Sequence, residues 1–205
     1  KQTSAEEVSK TISTSLYFLK SEELIVFKQG KYVSTKFGRR ISQLYISPET
    51  GVYFRNALLN MPNVDFKTIG FLHLITSAPD FYPKFTIRKK DFDNCVAFVL
   101  QNKSKFYQKN IESDYLLSNF LGPVRTTMLM NYWIGETSEK YILSNLDIQP
   151  GDLHRAIESA GWMSYSLIEI CKIIKRFDLF NDLELLQKRI ETGIKPELVP
   201  IVKLK

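Results

Sequence analysis

The chain has 205 residues, 44% hydrophobic and 24% charged, the proportions of an ordinary globular protein and not of a disordered one. Twenty-eight Lys and Arg against 22 Asp and Glu leave a formal charge of +6, which suits a polyanionic partner without demanding one. No apolar run approaches the roughly 18 residues needed to cross a bilayer, and no basic-then-apolar start marks a secretory leader. The chain opens on Lys1 and not on Met, as a piece of a longer protein would. Cys95 and Cys171 are too few for a disulfide framework and fit a reducing compartment. Neither His73 nor His154 stands at metal-ligand spacing from the other or from a cysteine, so no metal is expected.

Val8, Ile12, Leu16 and Leu19 recur at helical spacing and predict a helix over about Ser4–Lys20. Leu24–Phe27 and Tyr32–Thr35 read as short strands around a Lys28-Gln29-Gly30-Lys31 turn. A helix followed by a two-stranded hairpin is the back half of a winged helix, with the hairpin as wing. From there on the signals are helical. Gly38–Tyr45 comes first, then a helix opened by Ser47-Pro48-Glu49 and running to Asn60. Further helices are predicted over Phe66–Thr76, Lys90–Tyr107, Asp114–Leu121, Val124–Gly135 and Ser138–Leu146. The longest follows Pro150-Gly151 and reaches about Arg176, and a last one covers Leu183–Thr192. The expected fold is mostly α, a partial winged helix followed by a bundle of about seven helices.

Catalytic signatures are missing. Gly30-Lys31-Tyr32 lacks the spacing and the hydroxyl of a phosphate-binding loop, and no glycine-rich dinucleotide turn or nucleophile elbow occurs. Without a phosphate cradle and magnesium ligands the chain is not expected to hydrolyse ATP by itself. His73, inside Gly70-Phe71-Leu72-His73-Leu74-Ile75, reads as a buried structural histidine.

The helix after Pro150-Gly151 carries the functional signal. Leu153, Ile157, Ala160, Ser164, Leu167, Ile168, Cys171 and Ile174 form one stripe directed at a core. At about 100° per residue, Arg155 falls about 200° from Leu153 and Trp162 about 180° from it. The two share a face, about 10 Å apart along the axis. A tryptophan on a helix is ordinarily core, and Met163 and Ile173 leave room for a second layer over this side. The alternative is a solvent-facing indole with a planar cation two turns away, the pair that stacking on unpaired bases requires.

At these residues a resemblance appears. Ile148-Gln149-Pro150-Gly151-Asp152-Leu153, with Arg155 and Trp162, resembles the ratchet helix of archaeal Hel/Hjm-family superfamily-2 DNA helicases, relatives of the helicase part of polymerase theta. Gly38-Arg39-Arg40-Ile41-Ser42-Gln43-Leu44-Tyr45-Ile46-Ser47-Pro48 resembles the segment joining their winged helix to the ratchet domain. Thr68–Ile75 is similar to the helix that follows it. Met130-Asn131-Tyr132-Trp133-Ile134-Gly135-Glu136 resembles the Trp-Ile-x-Glu helix before the ratchet. Glu191–Pro200 resembles the entry to a terminal helix-hairpin-helix. The order is the family's, over nearly the whole chain.

The resemblance implies a partial winged helix over 1–46, a ratchet domain over 47–192 and a truncated helix-hairpin-helix entry over 193–205. It implies motor domains elsewhere in the parent protein that hold ATP and magnesium, with no cofactor in this part. It makes Arg155 and Trp162 base contacts on a translocating single strand, with Lys172 and Arg176 as further DNA contacts. Lys103 and Lys105 are candidates elsewhere in the bundle, while Trp133 and the Arg39-Arg40 pair read as packing and capping elements. The implied partners are single-stranded or forked DNA and the motor domains, with no membrane. The implied state is a monomer in the archaeal cytoplasm, associated with the nucleoid. The implied parent is an ATP-dependent 3′-to-5′ helicase of replication-fork repair and recombination. Two other classes remain open: a non-catalytic interaction module of a related RNA helicase or translocation factor, and a winged-helix transcription regulator.

Overall fold

The computed structural model describes residues 5–61, 67–107 and 120–202. The chain divides into two compact units, Lys1–Tyr53 and Phe54–Lys205. It is mostly helical, with one two-stranded sheet among the described residues.

In the first unit, α1 (Ala5–Ser21) leads into β1 (Ile25–Lys28) and β2 (Lys31–Ser34), paired antiparallel with Val26 opposite Val33 and Phe27 opposite Tyr32. The strands sit one residue from their predicted places. Gln29 and Gly30 hold φ of 49° and 76°, the two left-handed residues of a tight hairpin turn. α2 (Lys36–Gln43) starts two residues before the predicted Gly38, because the Thr35 hydroxyl accepts from the Gly38 amide and caps the helix earlier. A Cβ at Gly38 would lie 2.0 Å from the Leu24 carbonyl oxygen, so only glycine lets α2 approach the hairpin this closely. Of the predicted stripe on α1, Leu16 and Leu19 are half-buried while Val8 and Ile12 face solvent.

α3 (Pro48–Asn60) crosses from one unit to the other, with the Ser47 hydroxyl accepting from the Thr50 amide at its start. The second unit is built around α4 (Thr68–Ser77), in which every residue from Ile69 to Thr76 is buried. α5 (Phe92–Gln101) and α6 (Val124–Trp133) join α4 around Cys95, Val99, Phe106, Phe120, Val124 and Met128. α7 (Glu139–Leu146) precedes α8 (Pro150–Ile173), which packs on α4 and pairs with α9 (Phe180–Thr192); a short α10 (Val199–Val202) follows. Thr76 and Thr127 hydrogen-bond at 2.9 Å inside the α4–α6 contact, so the polar groups there are satisfied.

Three predicted boundaries are corrected. The helix expected over Lys90–Tyr107 ends at Gln101, where the Asn102 amide group turns back to the Phe98 carbonyl and a 3₁₀ turn follows. α8 stops at Ile173, short of Arg176, since Lys175 takes a left-handed φ of 63°. α9 begins at Phe180, three residues before the predicted Leu183. Most of the helix expected over Asp114–Leu121 lies outside the described residues.

His73 is buried between the Phe106 and Phe120 rings, and its Nε2 lies 2.9 Å from the Phe120 carbonyl oxygen. Burial lowers its pKa from 6.5 to about 4, so the ring is neutral at pH 7 and Nε2–H donates to that carbonyl. An unfolded chain therefore binds more protons between pH 6.5 and 4, and stability falls as pH drops through that window. Lowering the pH from 7 to 5 is expected to cost about 2 kcal/mol from this residue. In His73→Gln, whose side-chain amide still donates, urea titrations at the two pH values should differ by that much less.

Trp133 is half-buried and donates from Nε1 to the Ile190 carbonyl at 2.7 Å. Gly193 closes α9 with a φ of 67°, and a Cβ there would lie 2.6 Å from the Trp133 ring. Both glycine and indole are thus part of how α6 holds the end of α9.

Candidate nucleic-acid interface

α8 starts with Pro150 in its first turn, where a missing amide hydrogen costs nothing, and with Asp152 next to the positive end of the helix dipole. What aims it is the turn before it. Asp147 ends α7 in a left-handed conformation with φ of 47°. Its carboxylate receives Lys90 at 2.7 Å and Arg88 at 2.6 Å, which pull its pKa down to about 2. Arg88 also reaches Asp91 at 2.7 Å and the Leu146 carbonyl at 3.1 Å. The buried Arg125 donates to the same Leu146 carbonyl and to Thr86 O at 3.2 Å, and lies over the Phe85 ring. Its Nε stands 3.2 Å from the Asp91 carboxylate, near enough for attraction but without a hydrogen bond. Two guanidinium groups thus converge on the last carbonyl of α7 and fix the turn into α8.

α8 buries more of its surface than one stripe. Leu153, Ala160, Ser164, Leu167, Ile168 and Cys171 are buried as predicted, but Ile157 and Ile174 are half-buried. Ala156, Ser159, Met163, Ser166 and Ile170 are buried too, because α4 and α9 both pack against the helix. The remaining exposed row contains Arg155, Glu158, Trp162, Tyr165 and Lys172.

Arg155 and Trp162 both lie on that row. The Arg155 side chain is 61% exposed, and its ion pair to Asp152 at 3.4 Å is of the solvated kind that contributes little. Trp162 is 40% exposed, so the second layer that Met163 and Ile173 allowed for does not close over the indole. Lys172 is on the same row but pairs with Glu169 at 2.7 Å and lies over the Phe180 ring at 5.1 Å. Arg176 is placed differently. Its side chain is only 15% exposed, donates to the Leu58 and Met61 carbonyls, and pairs with Asp178 at 2.8 Å. Those contacts join the end of α8 to the end of α3. Lys103 and Lys105 sit on the 3₁₀ turn against α4 and not on α8.

Tyr165 was not singled out by sequence, although it stands one turn beyond Trp162 on the same face. Tyr82 was invisible to local pattern: its amide donates to the Ser159 hydroxyl of α8 at 3.0 Å, across 77 residues of chain. The Cys171 thiol donates to the Arg176 carbonyl, and burial pushes its pKa up to about 11, so it is an inert packing group. Among the described residues, no three His, Cys, Asp or Glu side chains converge on a metal position, and no helix is long and apolar enough to cross a membrane.

A buried central helix, a long α8 packed on it, and Arg155 and Trp162 exposed on α8 are the features that the second unit presents. The chain belongs to the family described as archaeal helicase, domain 4, whose model matches residues 69–193, from α4 to the Gly193 cap. Across 92% of its length it is 33% identical to the ATP-dependent DNA helicase Hel308 of Thermococcus kodakarensis, covering 17% of that protein. It is 32% identical to the ATP-dependent DNA helicase Hel308 of Pyrococcus horikoshii, again over 92% of its length and covering 26% of that protein. The protein of the same name from Pyrococcus abyssi is 28% identical over 96% of this chain. The chain thus spans between about a sixth and about a quarter of the relatives it matches.

Proposed function

We propose that this chain grips single-stranded DNA as the C-terminal part of an ATP-dependent 3′-to-5′ DNA helicase that acts in replication-fork repair and recombination. One observation carries the reading: Arg155 and Trp162, seven residues apart, share the exposed row of a helix otherwise buried on most of its surface. An indole leaves a large apolar face in water only at a cost, and a base offers that face a partner. The guanidinium two turns earlier adds a planar cation that can stack or meet a phosphate. Family membership supports the same reading, as does the name ATP-dependent DNA helicase carried by its relatives.

In this account the motor domains supply ATP and magnesium chemistry, while α8 holds the strand between motor steps. Arg176 holds α8 against α3 and supports the site without touching DNA.

The direct test is a binding titration of the 205-residue chain with a fluorescein-labelled oligothymidylate. Binding is expected to be weak and to weaken steeply with salt, since each neutralised phosphate contributes a slope of about −0.7 in log K against log salt. An affinity that does not change between low and moderate salt contradicts the electrostatic part of the proposal. In the intact helicase, losing the Arg155 or Trp162 side chain should impair unwinding more than ATP hydrolysis, because grip converts hydrolysis into movement.

A further inference from the structure

The segment from Pro79 to Asp91 contains a feature that the strand-gripping reading of α8 does not use. It runs as a strap without regular structure until the 3₁₀ turn at Lys89–Asp91. Its burial alternates: Phe81 and Pro83 are buried, and Tyr82 and Lys84 between and after them are exposed. Between these two buried neighbours the Tyr82 side chain faces solvent. The ring is 68% exposed.

The strap is fastened beside the Arg155–Trp162 row. The Tyr82 amide donates to the Ser159 hydroxyl at 3.0 Å. Ser159 lies four residues after Arg155 and three before Trp162, which makes it a surface neighbour of both on the helix. Further along, the Phe85 amide donates to the Thr126 hydroxyl at 3.1 Å, and Thr86 O accepts from Arg125. Arg88 and Lys90 then hold Asp147. Contacts with α6, α8 and the α7–α8 turn therefore fix the strap before any ligand arrives. A fixed strap gives a presented side chain a low ordering cost on binding.

The outward groups have the same chemistry as the row on α8. Tyr82 is an exposed aromatic face, Lys84 two residues on is exposed with its ammonium 3.3 Å from the Pro79 carbonyl and near Asp80, and the strap holds four basic residues against two acidic ones. This repetition of ring and cation on two adjoining elements matches a polyanion with stackable bases.

We propose that this strap is the second wall of the strand-binding groove: Tyr82 stacks on a base flanking the one at Trp162, and Lys84 meets a phosphate beside it. The proposal rests on α8 being the first wall, and the test separates the two. Anisotropy titrations of a labelled oligothymidylate would compare the 205-residue chain with Trp162→Ala, Tyr82→Ala and Tyr82→Phe, each with its melting temperature. Tyr82→Ala is expected to bind at least about fivefold more weakly at an unchanged melting temperature, the low end of base–aromatic stacking, while Tyr82→Phe keeps wild-type affinity. Wild-type affinity in Tyr82→Ala beside a loss in Trp162→Ala overturns the second wall and leaves the first standing. Wild-type affinity in both overturns the whole groove. An equal loss in Tyr82→Phe and Tyr82→Ala overturns stacking, because the ring is still present in one of them. If Tyr82→Ala also loses thermal stability, Lys84→Gln reads the same wall: a salt slope reduced by about 0.7 supports it, and an unchanged slope overturns it.

Discussion

Arg125→Ala is expected to destabilise the second unit by about 3–5 kcal/mol, read as a lower urea midpoint. The guanidinium is buried, so removing it leaves Asp91 without one of its two guanidinium partners and the Thr86 carbonyl without its donor. The Leu146 carbonyl keeps Arg88, and Asp91 keeps Arg88 as well, which places Arg125→Met, with its apolar stem retained, near the low end of that range. Because Asp91 and Arg125 share one network, Asp91→Asn and Arg125→Met together should cost less than the sum of the single changes. A shift below about 1 kcal/mol for Arg125→Ala would mean that the cluster is solvated in solution and does not set the α7–α8 turn.

Trp162→Ala is expected to lose roughly 1–3 kcal/mol of single-strand binding while the melting temperature hardly moves. An indole that is 40% exposed contributes less burial than a core residue does. A core tryptophan would behave in the opposite way and cost about 3–5 kcal/mol of folding stability. Arg155→Ala should follow Trp162→Ala in direction. Arg155→Lys should recover part of the loss, since an ammonium restores the charge without the planar face. Calorimetry and anisotropy on the same preparations check both halves of the prediction.

Local pattern carried much of this. The helix starts at Pro48 and Pro150 and the Gly30 turn were legible because proline, capping hydroxyls and left-handed glycines act within a few residues. The orientation of Trp162 was legible because helical periodicity fixes angle, although periodicity could not tell how wide the buried face of α8 would be. That width depends on α9 returning along α8, a contact between distant parts of the chain. Arg176 shows the limit most clearly. By spacing it extends the basic face of α8; in space it lies beyond a left-handed Lys175 and turns to carbonyls more than 100 residues earlier. The Asp147 cluster and the Tyr82 anchor escaped for the same reason, since ion pairs and hydrogen bonds across 57 or more residues leave no trace in spacing.

Tryptophan fluorescence during titration with an unlabelled oligothymidylate reads whether the Trp162 indole stacks on an unpaired base. The chain has two tryptophans, and Trp133 is occupied with the Ile190 carbonyl at the end of α9. Stacking quenches an indole, so the wild-type chain should be quenched as DNA is added, and Trp162→Phe should lose that quenching. Quenching that persists unchanged in Trp162→Phe, or a wild-type signal that stays constant while anisotropy reports full binding, would contradict the assignment.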